Sequence, residues 1–471
     1  MRTNNIARWA GTLAAASLVV SLSACDKILK VDNPAQISVD ELASEELLDA
    51  QVAGVLAAFN EQIAGTESGI LQGGTFLTDE TVTGLNWEDW QRANQRVVNY
   101  IEGPVYGIWE NLSETLRNGE ETLNKLDSLA TDPTEDRRVA LVAALVGYTY
   151  MLIGEHICQA VFSSQDSLGS TVYDPPEVFA KAIPFFNRAL TVGGAGGHAN
   201  IVNLAHVGLA RTYLNLADFG NAMQHAQAVT AGFQWWVDFS DATTDLWNNL
   251  YDETHGTNHT IGVHPAFLNG TYGTQDLVAT QTDPRIQHTS RYTTGHDQST
   301  KLYKPYQGLR FSGYTGDAIA DGAVEGNGDN GDVILFQTNT DVLLADYVEA
   351  RHHYYEAMLR SGGAEAQVLQ WVNDRRAVGN QPPVSLTGAA LFAELRRQRS
   401  IDLYMGGFRL GDLRRWKRDG VGDFFPTGVH PNPDRLPGVY GDWTCWPLPL
   451  EEYEGNENLS KPANPLDPPG I

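Results

Sequence analysis

The densest charge pattern in the chain is GGFRLGDLRRWKRD, from Gly406 to Asp419. It carries Arg409, Arg414, Arg415, Lys417 and Arg418 in a protein whose formal net charge is −26. Grouped guanidinium ions recognise carboxylate or phosphate through paired N–H donors. They serve equally well as ion pairs that hold a fold together. Just upstream, Arg396, Arg397 and Arg399 are interleaved with Glu394 and Asp402, and Asp412 and Trp416 lie within the stretch itself. Cations with acids close by make a poor open anion site, and a tryptophan gives an arginine a face to stack on. The pattern predicts a structural clamp built from Asp402, Arg409, Asp412, Arg415 and Trp416. A site for an anionic ligand is the alternative.

A second group is aromatic. In Asn86–Trp90, NWEDW, two tryptophans flank Glu88 and Asp89. Exposed rings stack on sugar faces, while Asn86 and the acids hydrogen-bond hydroxyls. Asn86, Trp87 and Trp90 are therefore candidate ligand contacts, with Trp247, Tyr251 and Tyr272 as similar candidates further on. Core tryptophans that pin a loop are the other reading, since large rings are mostly buried. Adjacent Glu88 and Asp89 would point apart, which does not suit the paired carboxylates of a glycosidase. His255, His259 and His264 are close in sequence, but Gly, Thr and Asn between them argue against the helix that a metal site of this spacing needs. DGAVEGNGDNGD (321–332) is acidic and Gly-rich without the ligand order of an EF-hand, and reads as a solvated loop. Neither a phosphate-binding Gly-rich loop nor a Ser-His-Asp arrangement is visible. No catalytic residue, metal or cofactor is assigned.

These groups need elements to position them. With 471 residues, 42% of them hydrophobic, the chain can bury a large core. Its acidity argues against nucleic acid, which needs a basic face. Arg2 and Arg8 precede the apolar run Ala10–Leu22, which is shorter than the roughly 20 residues of a membrane span and reads as a signal-peptide core. LSAC, Leu22–Cys25, resembles a lipobox, which implies cleavage after residue 24, acylation of Cys25 and a tether over 25–37. SVDE places Ser38 and Glu41 as a capping box before a helix that reaches Phe59. GILQGGTFLTDETVTGLNWEDWQRANQ reads as an ordered loop. Helices follow over about 104–129 and from an N-cap at Asp132 to about Glu155. NLAHVGLARTYLNLADFGNAMQHAQAV looks like one tetratricopeptide unit, with Gly208, Tyr213, Ala222 and Ala226 where paired helices need small or interlocking residues. The region 38–231 is thus helical and tetratricopeptide-like. Residues 232–340 form an irregular insert of loops, short strands and short helices. Helices resume over Val342–Arg360, Glu365–Arg376 and Gly388–Met405 within a closing part, 341–471. Cys158 and Cys445 either pair as a disulfide in an exported protein or stay as buried thiols.

Four features in this order resemble the SusD/RagB-like outer-membrane lipoproteins. IDLYMGGFRLGDLRRW (401–416) is similar to that family's RELFLEGHRWFDLRRW. CWPLPLEEYEGNENL (445–459) is similar to its C-terminal YPIPxxExxxNPNL, and LLADYVEARHHYYEAML…VNDRRAVG (343–379) to its LAEAYLLYAEAxx…INxVRxRAG. The lipobox and the repeat-like helices complete the pattern. The family's usual Glu-Gly-His is Gly406–Gly407–Phe408 here and its Arg is Ile401, which places the chain on a divergent branch. The resemblance implies a mainly α-helical protein with tetratricopeptide-like pairs supporting an irregular ligand face. It implies a lipid-anchored protein on the cell surface of the outer membrane that captures an oligosaccharide or a peptide. The nutrient would then pass to a SusC-like TonB-dependent transporter barrel. A cell-surface carbohydrate-active enzyme and a tetratricopeptide-type interaction scaffold are the alternatives.

Overall fold

RRVALVAALVGYTYMLIGEH is apolar on every side, so it can only be a helix that protein surrounds completely. In the computed structural model it forms Arg137–His156, long and apolar enough to cross a membrane yet wholly packed inside the protein. The structure describes residues 44–162, 170–254, 260–268, 283–289, 292–312, 337–432, 438–462 and 466. Leu48–Ile471 is one compact unit; Met1–Leu47 is the other, described only by a 3-10 turn at Glu45–Leu47. The expected signal peptide, Cys25, the 25–37 tether and the Ser38 capping box lie outside the described residues, as do Tyr272, His255, His259 and the acidic loop at 321–332.

The helices are α1 Leu48–Asn60, α2 Ile70–Phe76, α3 Glu88–Asn94, α4 Gly103–Leu129, α5 Arg137–His156, α6 Pro175–Ala195, α7 Ala199–Asn215, α8 Phe219–Ala228, α9 Asn249–Thr254, α10 Tyr347–Arg360, α11 Glu365–Val378, α12 Gly388–Asp402, α13 Arg409–Arg418 and α14 Leu450–Gly455. The fold is mainly helical with tetratricopeptide-like pairs. Helices α4 to α8 pack in succession, and α10 closes on α7 and α8. Small residues make this possible. Phe186 of α6 wedges against Gly147 of α5 and Gly208 of α7, where a Cβ would stand 2.8 and 2.4 Å from its ring atoms. Tyr148 meets the same ring edge-on at 5.2 Å. Ala222 and Ala226 turn the buried face of α8 inward, and Tyr213 stacks on His225 with ring centroids 5.5 Å apart.

Some boundaries differ from expectation. Helix α5 starts at Arg137 with Asp136 as its N-cap, accepting from the Arg138 N–H at 2.7 Å. Asp132 instead caps a separate turn through the Thr134 N–H at 3.0 Å. VLLAD, expected as helix, is a buried strand, Val342–Asp346, paired antiparallel with Gln234–Val237. Its fully buried apolar run suits a strand, and Asp346 then caps α10 by accepting from the Glu349 N–H at 2.7 Å. Helix α12 stops at Asp402, short of Met405, because Met405 and Gly407 take positive φ to turn the chain into α13. The stretch expected as a loop over residues 69–95 holds α2, the strand Thr81–Thr83 and α3. That strand pairs with Ile261–Val263, so the irregular insert is sewn to the N-terminal helices.

The closing segment returns across the whole unit. Cys158 and Cys445 form a disulfide with Cα atoms 5.1 Å apart. Beside it, Cys158 N–H donates to the Trp446 carbonyl at 2.9 Å and Trp446 N–H to that of His156 at 2.8 Å. The Trp446 indole donates to the Gly73 carbonyl at 3.0 Å, and that of Trp109 to Glu452 at 2.7 Å.

Candidate functional site

As far as Trp416 the basic stretch is inside the protein, and Lys417 and Arg418 are exposed. Asp412 accepts both ends of Arg399, at 2.6 and 2.9 Å, and also Arg415 at 2.9 Å. Arg415 forks onto Glu356 of α10 at 3.0 Å, and the Trp416 indole donates to the same carboxylate at 2.9 Å. Arg409 grips Asp79, far away in sequence, at 2.7 and 2.8 Å. Asp402 accepts from His352, Arg285 and Arg375 at 2.7–2.9 Å. All of these groups are buried or nearly so. Burial alone would raise the Asp402 carboxyl, but hydrogen bonds from His352 and the Arg375 charge hold it well below the usual carboxylate range. Asp412 falls to about 2, burial being outweighed by Arg399 and Arg415. Arg414 departs from the acid-with-every-cation pattern: it has three backbone carbonyls instead, those of Gly154, Glu155 and Ile157. This arrangement joins α10, α12 and α13 to the Asp79 segment and leaves its carboxylates no free capacity for solvent ligands.

A different place has free capacity. Helix α1 runs straight into a π-helical turn, Glu61–Gly65, that buries Gln62, Ile63 and Ala64 and leaves Glu61 towards the outside. Asn111 of α4 holds the following loop by donating to Thr66 Oγ1 at 2.8 Å. Across from it stands 244–252, fixed because buried Asn248 donates to the Thr340 carbonyl at 2.8 Å and its N–H to that of Thr338 at 2.7 Å. Between the two walls is a cleft of about 500 Å³ lined by Glu61, Glu67, Asp245, Trp247, Asn249 and Asp252, among others. Glu61 and Glu67 have no ion-pair partner among the described residues. Burial raises the pKa of both; Glu114 and Asp245 add to it for Glu61, Asp252 and Asp89 for Glu67. Trp247 is half-buried, and its indole Nε1 is shielded without a hydrogen-bond acceptor. A ring face and carboxylate acceptors are what a polyhydroxylated ligand satisfies.

The predicted ligand residues divide around this cleft. Trp247 lines it. Asn86 and Trp87 are exposed, Trp87 at 49%, beside the N-terminus of α3, whose Asp89 acts on Glu67. Tyr251 packs its ring on the core and does not line the cleft. Trp90 is a correction: it is 3% exposed and meets Phe76 edge-on at 5.1 Å. Trp87 is the extended N-cap and Trp90 lies within the helix, so spacing in sequence does not put the two rings on one face. His264, the one described member of the histidine group, is buried against Tyr440 at 2.8 Å, and burial lowers its pKa to about 4. Among the described residues no group of three or more His, Cys, Asp or Glu is placed to hold a metal ion. Glu61, Glu67, Asp245 and Asp252 were not anticipated. They come from stretches about 180 residues apart in sequence, NEQIAGTESG and DATTDLWNNLYDE, and neither is distinctive alone.

No family model and no curated protein matches this chain by sequence. Solved structures do match. A SusD-like carbohydrate binding protein from Bacteroides fragilis NCTC 9343 superposes with a TM-score of 0.65 at 14% identity, over 88% of this chain and 99% of its own. A SusD superfamily protein from Parabacteroides distasonis ATCC 8503 gives 0.62 at 13% identity, over 91% and 100%. A SusD/RagB family protein from Bacteroides thetaiotaomicron VPI-5482 gives 0.59 at 14%, over 86% and 94%. The chain therefore has the SusD-like fold from end to end of these neighbours.

Proposed function

We propose that this protein is a nutrient-binding lipoprotein of the outer-membrane surface. Cys25 carries the lipid, the acidic cleft captures an oligosaccharide, and the loaded protein delivers it to a SusC-like TonB-dependent transporter barrel. The observation that carries the reading is the cleft itself. Two carboxylates without an ion-pair partner among the described residues and the half-buried Trp247 ring line one cleft of about 500 Å³. The fold supports it, because one neighbour that shares it is a carbohydrate binding protein. Rings bind sugars by stacking on their apolar C–H faces, and carboxylates accept from hydroxyls without any change of charge. Trp87, exposed two residues before the Asp89 whose charge acts on Glu67, would meet a second sugar unit.

Calorimetry against a panel of neutral oligosaccharides tests this. Trp247→Ala and Trp87→Ala should each weaken binding by about 2 kcal/mol, roughly thirtyfold. Trp90→Ala should instead lower stability by ~3–5 kcal/mol through a core cavity, and bind normally once folded. Absence of binding to every glycan, or a Trp247→Ala protein that binds like the wild type, would overturn the site. Release of shortened glycans by the purified protein would replace capture with catalysis.

A further inference from the structure

The largest unexplained charge is one helical turn upstream of Arg399, the first arginine of the clamp. The Arg396 guanidinium of α12 makes neither a hydrogen bond nor an ion pair among the described residues, and its Nε is shielded without an acceptor. Its guanidinium lies 3.8 Å over the ring of Phe424 and 5.3 Å from that of Trp416. Stacking fixes the plane of the cation and leaves its edge, where the N–H donors are, pointing sideways. Arg396 lines a cavity of about 570 Å³ whose wall also includes Arg376, Arg397, Arg409, Asp79 and Asp283.

The acids of this wall are already engaged. Asp79 is held by both ends of Arg409, and Asp283 by Arg285 at 2.9 and 2.7 Å and by Gln381 at 2.8 Å. Arg376 pairs with Glu394 and donates to the Pro382 carbonyl at 2.7 Å. Arg397 is 58% exposed and only 3.7 Å from that same Glu394. With Glu394 counted, four arginines meet three carboxylates, and Arg396 is the one left without an ion pair among the described residues. A partly buried cation without a counter-ion is costly, and a planar anion that meets its fork removes the cost. Phe267, Leu268 and Ile401 supply an apolar floor for the rest of a small organic molecule.

We propose that this cavity is a second binding site, specific for a carboxylate on a small organic ligand, with Arg396 as the fork that grips it and Arg397 as the outer cation. It is separate from the acidic cleft and stands or falls without it. A carboxylate of this kind is offered both by an acidic sugar and by the free end of a short peptide. The probes are glucuronic acid against glucose, and dialanine against dialanine amide, titrated into the wild-type protein and followed by ligand-observed NMR. One acid or both should bind at least tenfold tighter than the neutral partner, and which acid does so identifies the source. Arg396→Gln should erase the difference, with unchanged circular dichroism. If that variant does not fold, the wild-type comparison of acid with neutral partner still decides. Equal affinity for acids and neutral partners, binding by neither acid, or a folded Arg396→Gln that keeps the preference would each overturn the proposal. Neutral oligosaccharide binding at the Trp247 cleft is a different measurement and does not bear on this one.

Discussion

Glu80 shows what a single buried carboxyl does to this molecule. One oxygen accepts from the Met405 N–H at 2.9 Å, and the other is shielded without a partner. Burial pushes its pKa up to about 8, against the pull of the Met405 N–H and the Arg409 charge. It is therefore protonated in the folded protein at neutral pH, whereas the unfolded chain ionises it near 4.5. A folded-state pKa raised in this way gives stability that is complete below the unfolded value and lost as pH rises through the folded one. Between pH 4.5 and 8 the wild type should lose about 1.4 kcal/mol per pH unit from this group. Glu80→Gln keeps an acceptor for Met405 and removes the titration. Its stability relative to wild type should rise across that window and be level below it. Urea melts of the two proteins at several pH values measure the difference, and parallel curves would mean that Glu80 is ionised in the fold. The same scale explains Trp87 and Trp90: three residues apart, one is solvent-exposed and the other in the core, because a helix begins between them.

At the scale of elements, the clamp is the organising feature. Arg415 of α13 joins Glu356 of α10 to Asp412 of its own helix, and burial, although it opposes the charge, is outweighed by those two carboxylates, so its pKa rises. Removing one member leaves the others charged and dry. Arg415→Met should cost about 3–5 kcal/mol in denaturant unfolding, because Glu356 loses its fork inside the protein. Lys417→Ala, which breaks the half-exposed pair with Asp423 at 2.9 Å, should cost less than about 1 kcal/mol. Equal effects would mean that the buried network holds nothing together. This element was legible in the sequence, because acids interleaved with arginines and a tryptophan are local facts. The repeat-like helices were legible for the same reason: Gly208, Ala222 and Ala226 mark close approach wherever they stand. The strand at Val342–Asp346 was not, since an apolar run of five continues smoothly into a helical pattern and only its partner at 234–237 decides its form. Nor was the acidic cleft, whose walls are the turn and loop after α1 and the segment that leads into α9. Residue types report chemistry locally, whereas a site made of two distant walls exists only once packing has chosen which acids lack a cation.

For the whole molecule, the question is how a chain with so much like charge closes on itself. Among the described residues several of its arginines are committed to buried ion pairs, in the clamp and in Arg211 with Glu155 at 2.5 Å, while the excess of acids leaves like charges that repel one another. Closure then depends on the last segment, which crosses from α13 back to α2, α4 and the end of α5. Trp446 and Glu452 dock there by hydrogen bonds, and the Cys158–Cys445 disulfide fixes the crossing at a sequence separation of 287. A loop of that length has a large entropy when open, so the cross-link should stabilise by up to about 5 kcal/mol through the unfolded chain. The two backbone bonds between residues 156–158 and Trp446 keep the segment seated in the native state without it. The Cys158→Ser/Cys445→Ser double variant should therefore fold to the same circular dichroism spectrum and melt several degrees lower. Its closing segment should be cut by protease well before the helical pairs are. The same early cleavage should follow when the wild type is treated with a thiol reductant, and calorimetry should show the matching fall in melting temperature. A double variant that melts with the oxidised wild type and resists protease equally would mean that the buried tryptophans and the clamp close the chain on their own.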